Sequence, residues 1–246
     1  MPDSYKPGVY LLRHPTTALN STDPTEDRIR GWKDVPLDKH GKEQAVQLAR
    51  YAEVLAPAEV YCSDLSRSRD LGRMIARACR VKLEVRKAYR PWGLGGFQGQ
   101  SSARVHDELK KYARDCTKKV PGGESFQEFM TRWIDQLRDC LADHVLDGRT
   151  IVGVAHFRNM KAAEAWIRAG MQDDPCKIDL AVFEKNDLPN GGLMRIWLEG
   201  GRFHFAVLST PLSASNEDLP VKKAPATLAA RRIGIRTVRQ GLPKAS

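Results

Sequence analysis

Short β-rich runs of apolar residues alternate along the chain with longer stretches in which apolar residues recur at helical spacing. The predicted strands cover residues 8–12, 59–62, 81–85, 151–155, 180–183, 193–198 and 203–208. The predicted helices cover residues 38–55, 66–80, 102–116 and 125–146, and a fifth follows the strand at 151–155 through Gly170. Strands that alternate with helices favour a parallel sheet covered on both faces. We therefore expect a three-layer α/β/α domain with a mainly parallel central sheet and an antiparallel portion near its end.

Two long segments between these elements are irregular. The polar stretch of residues 16–34 is too long for a simple connector, which predicts a functional loop. Residues 91–99 contain too many glycines for a regular element. Two other positions carry clear local signals. Ser125 and Glu128 have the spacing of a capping box, which predicts the start of a helix, and residues 199–202, Glu-Gly-Gly-Arg, predict a hairpin.

Length and composition exclude several classes of protein. With 246 residues, 41% of them hydrophobic, the chain can bury a full core without disulfides, metals or a partner. No apolar run approaches the roughly 20 residues that a membrane span needs. The first residues lack the apolar core of a signal peptide, and the five cysteines include no C-x-x-C pair. We expect reduced thiols in a cytoplasmic protein that has no membrane contact.

The net charge of +10 is unevenly distributed along the chain. Residues 213–246 contain seven Lys and Arg residues against two acidic ones, and they are rich in Pro, Ala and Ser. This composition predicts a folded domain over residues 1–212 and a basic, flexible tail over residues 213–246. The tail's charge favours weak, salt-dependent contact with nucleic acid or another polyanion, and the alternative is a solvated tail that only aids solubility.

Candidate chemistry lies where the predicted strands end, because ligands bind at the carboxyl ends of strands in an open α/β sheet. Arg13 and His14 follow the first strand, Arg67 lies shortly after the second, and His156 follows the strand at 151–155. A single histidine at a strand end is more often structural. Guanidinium groups, however, bind phosphate oxygens in a bidentate manner. Two histidines and two arginines at three strand ends therefore indicate a phosphate site.

Six short motifs occur in a fixed order along the chain. They are residues 11–20 (LLRHPTTALN), 31–37 (GWKDVPL), 63–67 (SDLSR), 95–99 (GGFQG), 121–125 (PGGES) and 154–156 (VAH). Together they resemble the motifs of the histidine phosphatase superfamily, the phosphoglycerate mutase-like enzymes. The resemblance spans roughly residues 9–208 and implies a phosphoglycerate mutase-like fold.

The resemblance also implies roles for individual residues. His14 would be the nucleophile and become a phosphohistidine, which divides a difficult hydrolysis into two easier displacements. Arg13, Arg67 and His156 would hold the phosphoryl oxygens. Thr17 and Asn20 would add hydrogen bonds. The implied substrate is a small phosphorylated molecule or a phosphoprotein, and no metal or cofactor is implied.

The chain departs from the family pattern at two places. Pro15 replaces the usual glycine after the first histidine, so a backbone N–H is absent. Pro91 stands where many members carry a glutamate that protonates the leaving group, and no acidic residue follows His156 directly. The carboxylates that could replace this acid are Asp23, Glu26, Asp27 and Glu124, each of which is also explained as a solvated or helix-capping residue.

Three functions remain open at this point. General acid catalysis is typically worth about 100- to 10,000-fold, so its loss favours a slow phosphatase that cleaves phosphomonoesters or phosphoramidates such as phosphohistidine. A weak or inactive phosphate-binding module with a polyanion-binding tail is the alternative. A phosphoglycerate mutase is less favoured, because residues 90–93 replace those expected to recognise glycerate. Arg90, Trp92 and Arg158 are further candidates for binding the substrate.

Overall fold

The computed structural model describes residues 7–208, 210 and 212, so the predicted tail lies outside the described residues. The strands are β1 (Val9–Arg13), β2 (Glu59–Cys62), β3 (Lys82–Val85), β4 (Ile151–Ala155), β5 (Leu193–Glu199) and β6 (Arg202–Leu208). The α-helices are α1 (Lys39–Val54), α2 (Ser66–Cys79), α3 (Ser102–Arg114), α4 (Phe126–Asp147), α5 (Phe157–Arg168) and α6 (Leu180–Glu184). Two short 3-10 turns cover Lys87–Tyr89 and Gly95–Phe97.

The six strands form one mixed sheet in the order β3-β2-β4-β1-β5-β6. Strands β1 to β4 are parallel, whereas β5 and β6 run antiparallel at one edge. This confirms the predicted sheet, including the hairpin between β5 and β6. Arg13 at the end of β1 lies opposite Ala155 at the end of β4. The carboxyl ends of β2, β4 and β1 are therefore neighbours.

Helices cover both faces of the sheet, as the alternating directions of the β1 side chains show. Val9 and Leu11 belong to a hydrophobic cluster that includes residues of α3, α4 and α5. Tyr10 and Leu12 point the other way, into a second cluster that includes residues of α1 and α2. Because successive side chains of a strand point to opposite faces, these two clusters establish the three-layer arrangement.

Two of the helices begin at side-chain caps. Asp38 precedes α1, and its side chain accepts a hydrogen bond from the backbone N–H of Gly41 at 2.6 Å. Ser125 precedes α4 and forms the predicted capping box with Glu128. Each cap satisfies backbone N–H groups that the helix leaves free, typically worth about 1 kcal/mol.

The predicted strand at residues 180–183 is wrong, because Leu180–Glu184 is the short helix α6. Asp179 caps this helix by accepting a hydrogen bond from the backbone N–H of Val182 at 3.2 Å. An apolar run of four residues cannot distinguish a strand from a buried helical turn. The aspartate that precedes the run is the signal that could have made the distinction.

All five cysteines are free thiols in the structure. Burial raises the pKa of Cys62 to about 12 and that of Cys140 to about 11. These two thiols are therefore protonated at neutral pH and are poor nucleophiles. Within the described part of the chain, no helix combines the length and apolar character needed to cross a membrane.

Candidate active site

Two imidazoles lie at the carboxyl edge of the sheet, where β1 and β4 end side by side. The backbone N–H of His14 donates to the carbonyl of Ala155 at 3.2 Å, which extends the ladder between the strands by one residue. The ring centroids of His14 and His156 are 5.1 Å apart and the rings meet edge to face at 64°. Both side chains are buried. The structure thus brings together the two histidines that the sequence placed on separate strands.

One nitrogen of the His14 ring is already committed to the protein. Nδ1 lies 2.7 Å from the carbonyl oxygen of Pro15, and because a carbonyl only accepts, Nδ1 carries the proton. Burial holds the pKa of His14 well below its usual range, and the charges of Arg67 and Arg13 lower it further. The ring is therefore neutral at neutral pH, and Nε2 carries the lone pair.

The ring of His156 is held by Ser63, which follows β2. The distance between His156 Nε2 and Ser63 Oγ is 2.8 Å. The other nitrogen, Nδ1, is buried and has no hydrogen-bond partner among residues 7–208. Burial, followed by the charge of Arg67, holds the pKa of His156 well below its usual range. Ser63 opens one of the six motifs but is not among the predicted site residues.

Arg67 lies at the second position of α2 and is 1% exposed. Its Nη2 donates to the carbonyl of Gly31 at 2.8 Å and its Nη1 to the carbonyl of Lys33 at 2.9 Å, so the long loop after β1 fixes the guanidinium. Burial and the charge of Arg30 lower the pKa of Arg67 to about 9.

Arg13 is anchored from the opposite side, by the segment that precedes β5. Its backbone N–H donates to Gly192 at 2.9 Å, and its Nη1 donates to the carbonyl of Leu188. The guanidinium also lies over the ring of Phe157, 5.0 Å from the ring centroid. Burial and the charge of Arg30 lower the pKa of Arg13 to about 9.

The site has an excess of positive charge. In the described part of the chain, no carboxylate forms an ion pair with Arg13 or Arg67, and the Nε atom of each is buried without a partner. Buried cations without counter-ions are unfavourable unless an anion compensates them. The arrangement is therefore suited to a ligand with two or more negative charges.

Arg30 is a third cation of the site that the sequence analysis missed. Its charge lowers the pKa values of Arg13, His14 and Arg67, and its side chain is 15% exposed. Nη1 is held by the carbonyl of Leu19 at 2.8 Å and by Asp27 at 2.9 Å. Its position beside the motif that begins at Gly31 is the signal that could have identified it.

Thr17 and Asn20 order the loop that follows His14. The backbone N–H and the hydroxyl of Thr17 both donate to Asn20 Oδ1 at 2.9 Å. The amide of Asn20 then donates to Asn190 Oδ1 at 3.3 Å. These contacts give both residues a structural role at the site, and their direct binding to phosphate stays a prediction.

Two of the candidate acids lie on the surface of the loop. Asp23 accepts hydrogen bonds from the hydroxyl and the backbone N–H of Thr25, and these bonds lower the pKa of Asp23. Glu26 is exposed, and its carboxylate lies 3.6 Å from Arg28. Asp23 is thus ionised at neutral pH, which leaves it without a proton to donate.

The other two candidate acids are paired with arginines. Asp27 binds Arg30 at 2.9 Å. Glu124 is buried, and its Oε1 accepts from Arg132 at 2.6 Å and from the backbone N–H of Gly93 at 2.7 Å. Its Oε2 also accepts from Arg132, at 3.1 Å. These contacts fix the glycine-rich crossing, residues 91–99, and the role of Glu124 as a general acid stays a prediction.

Arg90 is paired with a carboxylate, unlike Arg13 and Arg67. Its Nε and Nη2 bind the two oxygens of Asp64 at 2.7 and 2.6 Å, and these bonds raise the pKa of Arg90. A guanidinium with this bidentate partner has little remaining attraction for an anionic substrate. Binding of substrate by Arg90 stays a prediction, and the geometry does not favour it.

Trp92 and Arg158 line one small cleft, together with His106, Leu109, Lys110, Ala113, Phe183 and Glu184. Trp92 is 1% exposed and packs edge to face against Phe126, so it is first a core residue. The guanidinium of Arg158 lies 5.4 Å from the centroid of Phe157, the ring that also contacts Arg13. Burial lowers the pKa of Arg158 to about 10. Contact of either residue with substrate stays a prediction.

The fold and the paired histidines at its strand ends define a known class of protein. The chain belongs to the histidine phosphatase superfamily (branch 1), whose family model matches residues 9–210. This confirms the family that the six motifs indicated.

Among individual relatives, a probable phosphoglycerate mutase GpmB of Enterobacter sp. (strain 638) is 33% identical over 138 residues, which are 54% of this chain and 62% of the relative. The match thus spans less than two thirds of that relative. A solved mycobacterial glucosyl-3-phosphoglycerate phosphatase has a TM-score of 0.61 at 23% identity, with 76% of this chain and 88% of that chain covered. The alpha-ribazole phosphatase of Shigella flexneri has a TM-score of 0.59 at 18% identity, with 78% and 91% covered. These two structures support the fold.

Proposed function

We propose that the chain is a phosphatase that transfers the phosphoryl group of its substrate first to His14 and then to water. The observation that carries the proposal is the state of His14. Its ring is buried and neutral, its Nδ1–H is committed to Pro15, and three arginines lower its pKa. An imidazole in this state offers a free lone pair on Nε2 beside groups that attract a phosphate dianion.

The reaction has two displacements on phosphorus. In the first, the lone pair of Nε2 of His14 forms the N–P bond while the bond from phosphorus to the leaving group breaks, and the leaving group departs with the electron pair. In the second, the oxygen of a water molecule attacks phosphorus while the N–P bond breaks and its electron pair returns to Nε2. The proton that the water loses passes to the departed leaving group or to solvent, and inorganic phosphate and the neutral imidazole are released. Arg13 and Arg67 neutralise the charge on the equatorial oxygens, and His156 donates a hydrogen bond from its free nitrogen.

The leaving group has to depart with little protonation by the enzyme. Pro91 stands at the family's acid position, and Glu124 is held by Arg132 and Gly93. Loss of general acid catalysis costs about 100- to 10,000-fold for a basic leaving group. We therefore favour phosphoramidates and esters of acidic alcohols or phenols as substrates, and a slow reaction with ordinary alkyl phosphates.

Capture of the intermediate tests the proposal. The full chain is incubated with ³²P-labelled para-nitrophenyl phosphate and quenched in alkali, where a phosphohistidine survives. We expect a label that acid removes, its absence in His14→Ala, and its retention in His40→Ala, which changes an exposed histidine. Hydrolysis by His14→Ala at the rate of the unaltered chain would show that His14 is not the nucleophile.

Labelling separates an enzyme from a binding module, and product analysis separates a phosphatase from a mutase. A phosphate-binding module would bind inorganic phosphate but would never acquire the label. A mutase supplied with 3-phosphoglycerate would form 2-phosphoglycerate faster than it releases inorganic phosphate, whereas a phosphatase would release phosphate from its preferred substrates.

A further inference from the structure

The side chain of Asn190, in the segment before β5, bridges two carbonyls next to the His14 ring. Its Nδ2 lies 3.1 Å from the carbonyl oxygen of His14 and 3.1 Å from that of Pro15. An amide nitrogen has two N–H donors, so one is available for each carbonyl. Its Oδ1 accepts from Asn20 at 3.3 Å, which fixes the orientation of the amide plane.

The carbonyl of Pro15 accepts two hydrogen bonds, one from Asn190 and one from Nδ1 of His14 at 2.7 Å. A carbonyl oxygen has two lone pairs, so both are used. The peptide between His14 and Pro15 has no N–H, because proline lacks one. The carbonyl of His14 is thus the single conventional hydrogen-bonding group of that peptide, and it also accepts from Asn190.

We propose that Asn190 is a positioning residue that holds the His14 imidazole in its Nδ1–H tautomer and keeps Nε2 free. Its catalytic consequence rests on the proposed role of His14 as nucleophile. Without the amide, the Pro15 carbonyl loses a donor that fixes its direction, and the ring loses the fixed acceptor that selects its tautomer. Nδ1 and Nε2 then compete for the proton, and molecules with the proton on Nε2 cannot attack phosphorus.

The segment that carries Asn190 is itself anchored. Lys161 of α5 is 1% exposed, and its Nζ lies 2.7 Å from Asp187 and 2.7 Å from Glu164. Leu188, in the same segment, accepts a hydrogen bond from Arg13. The segment is therefore fixed to α5 through Asp187 and to the site through Leu188. A positioning residue requires such a rigid support.

The experiment reads the tautomer and the rate separately. The full chain is labelled with ¹⁵N in its histidine rings, and the His14 signals are assigned by their loss in His14→Gln. We expect the unaltered chain to show a protonated Nδ1 and an unprotonated Nε2. Asn190→Ala and the near-isosteric Asn190→Asp should both show exchange between tautomers. In Asn190→Ala, which adds no charge, the phosphorylation rate should fall about 10- to 100-fold with less than about a three-fold change in apparent substrate affinity. The matched control is Asn186→Ala, an exposed asparagine in the same segment, which should change neither readout.

Two further outcomes would count against a proposal. Retention of the Nδ1–H tautomer in the Asn190 variants would overturn the proposal, including when their rate falls together with thermal stability and affinity, because that pattern marks a purely structural role. Where Asn190→Ala does not fold, the Asp variant supplies the same comparison. A chain that never acquires the phosphoryl label refutes the proposed function, whereas the ¹⁵N spectra still decide whether Asn190 sets the tautomer.

Discussion

The rings of His14 and His156 meet edge to face with their centroids 5.1 Å apart, although they follow different strands. Their approach is a consequence of strand register, because Arg13 of β1 lies opposite Ala155 of β4 and a histidine directly follows each of these strands. Burial keeps both rings neutral, and Arg67 reinforces this effect. The pair therefore combines a free lone pair on His14 with a free ring nitrogen on His156.

The depressed pKa values make folding stability sensitive to acid. In the unfolded chain a histidine takes up a proton near pH 6.5, whereas His14 and His156 in the folded chain do so only at much lower pH. Below about pH 6.5 the unfolded state binds more protons, so the free energy of unfolding falls by about 1.4 kcal/mol per pH unit for each histidine. Urea unfolding at pH 7.5 and pH 5.5 measures this loss. The double variant His14→Gln, His156→Gln should lose less stability than the unaltered chain, and an equal loss in both would contradict the prediction.

Replacing Arg67 by lysine should disable the site without unfolding the domain. A single ammonium group cannot contact the carbonyls of Gly31 and Lys33 and also bind phosphate in a bidentate manner. We expect the phosphorylation rate to fall about 100- to 1,000-fold, the range for loss of one electrostatic donor to a transition state. Rapid-quench labelling gives the rate. The control is Arg73→Lys, an exposed arginine on the same helix, and a comparable fall there would remove the argument for Arg67.

Arg30→Gln tests the third cation. If Arg30 attracts the phosphate dianion, its loss should raise KM for para-nitrophenyl phosphate about ten-fold and weaken the dependence of kcat/KM on salt. Arg28→Gln removes a half-buried arginine of the same loop, one that pairs with the exposed Glu26, and should change KM by less than about two-fold. Equal effects of the two substitutions would mean that only the general charge of the loop matters.

Glu124→Gln distinguishes an acid from a structural carboxylate. Because Glu124 binds Arg132 and the N–H of Gly93, we expect the substitution to lower the thermal midpoint and to slow all substrates by a similar factor. A general acid would instead matter most for basic leaving groups. Rates are compared for para-nitrophenyl phosphate and phenyl phosphate. A much larger loss with phenyl phosphate would restore Glu124 as the proton donor.

The basic tail should be separable from catalysis. The family match ends at residue 210, and the tail brings seven basic residues against two acidic ones. Truncation after residue 212 should leave kcat for para-nitrophenyl phosphate unchanged and abolish salt-dependent binding to a polyanion such as heparin or duplex DNA. Retention of that binding by the truncated chain would place the anion-binding surface on the domain, and a large fall in kcat would make the tail part of the site.

The parts of the site that the sequence predicts are those governed by local pattern. The ends of β1 and β4 follow from short apolar runs, and they identify Arg13, His14 and His156. The contacts of Ser63 and Asn190 depend instead on which strands become neighbours, and Asn190 reaches His14 only because β5 pairs antiparallel with β1. Such long-range contacts leave no periodic signal. The wrong prediction of a strand at residues 180–183 has the opposite origin, because the local cap by Asp179 outweighs the β-rich composition of the run.

The glycine-rich crossing has one consequence for how this scaffold can change. A Cβ atom at Gly95 would lie 2.2 Å from the carbonyl oxygen of Pro121, and one at Gly123 would lie 2.2 Å from that of Gly93. The two backbones are in direct contact, so neither position tolerates a side chain. Residues 21–26 of the long loop after β1 are exposed, so side-chain exchanges there meet solvent and are accommodated more readily than at these two glycines.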